Sequence, residues 1–160
     1  MFTFFYFTSC SILLLVAELL LRSAGLTVPL LGFFFAAASV AVSSRMAFFF
    51  ALVFGVMLDF TAGYAAPWSG LLLPLLTVPA FFLNRKRPLP VALEFLAGAA
   101  IPFVTAVPHL LSVLTTPEGF ASLLATCLLG AVLFPVTLAL VARSADRLKI
   151  GAAGSGRGDF

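Results

Sequence analysis

Charge is scarce in this chain: nine Lys and Arg and six Asp and Glu among 160 residues, 9% of the total. Soluble domains carry about 25% charged residues, so a chain this poor in them cannot cover a water-facing surface. Cysteine is scarce too, and Cys10 and Cys127 both sit in apolar runs, which excludes a disulfide scaffold and leaves the redox compartment open. A single histidine, His109, provides no metal-ligand cluster. No nucleophile stands beside a base and no Gly-rich phosphate loop occurs, so neither an enzyme nor a cofactor is expected. The net charge of +3 lacks the basic face that nucleic-acid binding requires.

Apolar residues make up the rest. They form 62% of the chain, with a mean hydropathy of +1.20, which marks an integral membrane protein. A spanning helix needs about 17–25 mainly apolar residues. Six such runs are bounded by charge or turn residues: Phe4 to Leu21, Leu26 to Val42, Met46 to Phe60, Trp68 to Leu83, Val91 to Leu114 and Phe120 to Ala142. The expected fold is an all-α polytopic transmembrane bundle over residues 1–142, followed by a disordered, Gly-rich cytosolic tail over 143–160. The third run is short, about 22 Å of helix at 1.5 Å per residue. Residues 1 to 24 lack the basic start of a signal peptide, so the first run is expected to remain as a span.

Cytoplasmic loops carry the excess of Lys and Arg. With both ends inside, Arg45, Arg85, Lys86, Arg87, Arg143, Arg147, Lys149 and Arg157 lie in the cytosol, eight of nine, and only Arg22 lies outside. An N-in, C-in topology is therefore expected. The loop trio Arg85, Lys86 and Arg87 then acts as a topology determinant and a contact for anionic lipid.

Ionisable groups at membrane depth are costly, and each is a candidate functional site. Glu18 and Arg22, one helical turn apart, are placed to pair. Asp59 has no basic neighbour in sequence; it either caps the next element through N–H groups around Thr61 to Gly63 or meets a partner or ligand. His109 follows Pro108 in the fifth run, where Pro102 and Pro108 interrupt the backbone ladder. With Glu18 and Arg22 it makes up an outer polar cluster. Small residues recur at four-residue spacing in Ala37 and Ala41, in Ala51, Gly55 and Asp59, and in Ser122, Thr126 and Gly130, suggesting close helix approach.

The third run, Ala51 to Gly63, contains Gly55, three apolar residues, Asp59, and then a small residue and Gly63. This resembles the signature of the rod-shape-determining MreD family, as a divergent member. The exit of the sixth run, with Gly130, Pro135 and Arg143, is similar as well. Near the second run the family's usual proline and aspartate pair is replaced by Val28, Pro29 and Leu30. The resemblance implies a non-enzymatic scaffold subunit in the bacterial inner membrane. It would bind the periplasmic scaffold protein MreC and link MreB filaments to cell-wall synthesis proteins, with Gly55, Asp59 and Gly63 as partner contacts or a structural turn. It also implies a likeness in fold to the substrate-binding subunits of energy-coupling-factor vitamin transporters. The alternative expectation is therefore such a subunit, with an outer pocket lined by Glu18, Asp59, Trp68 and His109.

Overall fold

The computed structural model describes residues 2–24, 26–62, 66–79, 90–107 and 114–148. Among them the chain is all-helical: α1 Phe2–Ser23, α2 Leu30–Ala41, α3 Ser44–Thr61, α4 Trp68–Thr77, α5 Val91–Ala106 and α6 Pro117–Arg147. Of these, α1, α3 and α6 are long and apolar enough to cross a membrane, whereas α2, α4 and α5 are shorter apolar helices. At 1.5 Å per residue the 12 residues of α2 make about 18 Å, well below the roughly 30 Å hydrocarbon core.

Prolines and caps set the boundaries. The second and fourth runs start helically only after Pro29 and Pro67, because the residue before a proline is pushed out of the helical region. Ser43 begins α3 by accepting the Met46 N–H at 3.4 Å, which lengthens the third run to 18 residues, about 27 Å. The residues between the fifth and sixth runs already begin α6: Thr116 accepts the Gly119 N–H at 3.2 Å and Pro117 occupies the first helical position. At its other end α6 runs through Arg143 to Arg147, so the first five residues of the expected tail are helical. Two contacts hold them there. Ala145 is buried, and Ser144 Oγ shares a 2.7 Å hydrogen bond with the Tyr6 hydroxyl. Since Ser144 donates to Val141 O at 2.9 Å, Tyr6 is the donor in this bond. It ties the beginning of α1 to the end of α6.

The shortest path to the core runs through α2, which packs against each of the other five helices. Every residue from Leu31 to Ser39 is buried. A helix that is apolar on all sides belongs in the interior, and here the run Gly32 to Ala38 leaves no polar face to present. Around it the phenylalanines divide into two groups. Phe7, Phe34, Phe50 and Phe54 form an aromatic column, with Phe7 and Phe50 stacked at 5.4 Å and Phe50 and Phe54 at 6.1 Å. Phe2, Phe5, Phe49 and Phe60 point outward with the leucines of α1, α3 and α6, giving an apolar exterior suited to lipid.

Candidate functional site

Two corners of the fold bury an acid at the start of a short helix. Both α2 and α4 have proline at the N-cap position, and neither proline supplies a side-chain cap. Their first N–H groups must find acceptors elsewhere, because an unpaired N–H in the membrane interior costs several kcal/mol by order of magnitude. Acids from the preceding helices provide them.

At the first corner Glu18, 1% exposed, accepts the Leu31 N–H through Oε2 at 3.0 Å. Its Oε1 receives Arg22 Nη2 at 2.9 Å, an ion pair across one helical turn. The carboxylate thus sits between a guanidinium and the positive end of α2, worth about half a charge. The Arg22 side chain is 26% exposed, and its Nε–H is buried with no acceptor among the described residues.

Asp59, 2% exposed, makes the second corner. Its Oδ2 accepts two N–H groups, from Ser69 at 2.6 Å and Gly70 at 3.1 Å. The donors are the second and third N–H groups of the helix, those an N-cap side chain serves, but the helix capped is α4, further along the chain than Thr61 to Gly63, where the sequence placed the N–H groups. The other oxygen, Oδ1, is buried and has no partner among the described residues.

Close backbone approach makes the second corner possible. A methyl group on Gly55 would lie 2.6 Å from Ser69 O and 2.9 Å from Gly70 Cα, and one on Gly70 would lie 2.5 Å from Val56 Cγ2. Any side chain at either position would move α4 away from the Asp59 carboxylate. A second crossing of this kind joins α5 to α6, where Gly98 and Gly130 face each other's carbonyl oxygens. Sequence spacing marked Gly130 but missed Gly98, whose setting, Ala97, Gly98, Ala99 and Ala100, carried the same small-residue signal. It also missed Leu31, Ser69 and Gly70 as recipients of the acids. A usable signal was present in Pro29 and Pro67, which leave helix starts uncapped 10 to 13 residues beyond Asp59 and Glu18.

Two cavities adjoin these elements. A cleft of about 200 Å³ opens where the α1–α2 connection meets the end of α5 and the start of α6, lined by Arg22, Thr27, Thr105, Gly119, Ser122 and Thr126. Neither Glu18, Asp59 nor Trp68 lines it, so these three do not converge on one pocket there. A larger groove of about 650 Å³ lies between α2, α4 and α5. Its walls are apolar apart from Ser39, whose hydroxyl already donates to Ala36 O at 2.7 Å. Gly63, His109 and the trio Arg85, Lys86 and Arg87 lie outside the described residues. Among the described residues no group of three His, Cys, Asp or Glu side chains is placed to hold a metal ion. No protein-family model, no curated protein and no solved structure matches this chain.

Proposed function

We propose that this chain is a non-enzymatic scaffold of the bacterial inner membrane, similar to the MreD subunits of the cell-elongation machinery. It would hold an MreC-like periplasmic scaffold protein and cell-wall synthesis proteins beside it. One observation carries the reading: Glu18 and Asp59, the acids at membrane depth, are turned inward onto helix starts, while large apolar side chains of α1 and α6 face outward. Polar groups used in this way stabilise a shape, and recognition is left to packing within the bilayer.

Six crossings with both ends in the cytosol accord with the distribution of basic residues. The Tyr6–Ser144 bond also brings the beginning of α1 to the end of α6, as an even number of crossings requires. A vitamin-binding role draws less support. Pockets for such ligands span about 300–1,000 Å³ with a few convergent polar groups. The Arg22 cleft falls below that range, and the apolar groove has no free polar group to orient a ligand.

The test is an affinity pull-down of the tagged chain from its native membrane in mild detergent, with proteins and small molecules identified by mass spectrometry. An MreC-like protein with cell-wall synthases is the expected catch. Paired ATPases with a membrane coupling protein, or a stoichiometric vitamin, would overturn the scaffold reading in favour of a transporter subunit.

A further inference from the structure

We propose that the groove between α2, α4 and α5 holds one acyl chain of an anionic phospholipid, with the headgroup at the end of the bundle where α4 finishes and α5 begins. The shape of the groove carries this. Over Gly32 its walls meet: a methyl group there would lie 3.0 Å from Ile101 Cγ2 and 3.5 Å from the side chains of Leu73 and Leu76. One turn further along α2 the walls stand apart, and Ala36, Ser39 and Val40 floor the groove. It therefore narrows at the Gly32 end and opens toward Pro79 and Leu93.

Length selects among apolar occupants. The wall from Leu93 to Val104 on α5 spans about 16 Å at 1.5 Å per residue, about half of the roughly 30 Å hydrocarbon core. A lipid tail, running from its headgroup to the bilayer midplane, needs that depth. A partner's spanning helix needs the whole core, so the closure over Gly32 would leave half of it without a seat.

The walls offer hydrocarbon alone, since the Ser39 hydroxyl is used by Ala36 O at 2.7 Å, so a headgroup has no place inside and stays at the open end. Charge at that end favours an anion. Residues 80–89, which link Pro79 to Pro90, include Arg85, Lys86 and Arg87 and no acid; with Arg45 at the start of α3 and Glu94 in the first turn of α5, four basic groups face one acid. Helix ends add nothing, because the C-terminal ends of α2 and α4 offset the N-terminal ends of α3 and α5. Tails are alike among phospholipids, so this charge is what discriminates between them.

The experiment uses the full chain in nanodiscs that hold one copy each, doped with a phosphatidylglycerol carrying a diazirine on its acyl chain. After illumination, mass spectrometry compares labelling of α5 from Leu93 to Val104 with labelling around Leu128, on the exposed face of α6 that meets bulk lipid. Ala100→Phe fills the groove from an exposed position, and Leu128→Phe enlarges a side chain outside it. Groove labelling about 5-fold above that of α6 is expected, with unlabelled phosphatidylglycerol competing about 5-fold better than phosphatidylcholine. Ala100→Phe should remove this excess and Leu128→Phe should leave it. Even labelling of groove and α6, equal competition by the two lipids, or an unchanged excess after Ala100→Phe overturns the proposal. So does loss of the groove signal in native membranes doped with the same probe, since a second copy or another protein would then cover the groove.

Discussion

The corners at Glu18 and Asp59 solve one problem with different degrees of completeness. Each brings a carboxylate from a long helix to the uncapped start of a short one. Glu18 uses both oxygens, on Leu31 N–H and Arg22, within an assembly that closes its own charge. Asp59 places two N–H groups on one oxygen, leaves the other bare, and has no basic partner among the described residues. The difference follows from how the helices meet. Between α3 and α4 the backbones touch at Gly55 and Gly70, too close to admit a long side chain such as arginine. The first corner therefore depends on charge and the second on proximity, and substitutions separate the two.

The largest effect is expected from Gly55→Leu. Pushing α4 off α3 also takes Ser69 and Gly70 away from Asp59, so overpacking and two unpaired N–H groups act together. A loss of more than about 3 kcal/mol should follow, measured by unfolding in mixed micelles. Asp59→Leu removes the acceptor while keeping the helix contact, at a cost of about 2–4 kcal/mol. Asp59→Asn should recover more than half of that, since its amide oxygen accepts the same two N–H groups. If Asn and Leu are equally destabilising, the cap is not what Asp59 contributes. At the other corner, Glu18→Gln keeps the acceptor for Leu31 and removes only the counter-charge of a partly solvated Arg22. The expected cost is about 1–2 kcal/mol, and because the pair is mostly buried it should change little as salt is raised. The smallest effect is expected from Tyr6→Phe, which leaves both corners alone and deletes one hydrogen bond, about 0.5–1 kcal/mol in the same assay.

Much of the architecture could be read from composition because lipid imposes simple rules. An all-helical chain, apolar helices and the pairing of Glu18 with Arg22 all follow from the need to satisfy polar groups locally. Less legible were contacts that depend on which helices meet. Asp59 reads as an acid at a helix end, and only the uncapped start after Pro67 hints that its N–H partners belong to Ser69 and Gly70. Likewise α2 reads as one more span in a row of six, though its unbroken apolarity was the sign of an interior helix.

The central position of α2 also bears on the order of events during synthesis. It leaves the ribosome before α3 to α6 exist, so the surfaces that will enclose it are absent while it enters the membrane. Lipid tails are then its neighbours, and a helix with polar groups reserved for later partners would be poorly suited to them. Leu31 to Ala38 carry no polar side chain, so the same stretch tolerates lipid first and a protein interior afterwards. Glu18, made earlier still, is waiting in α1 to receive its first turn.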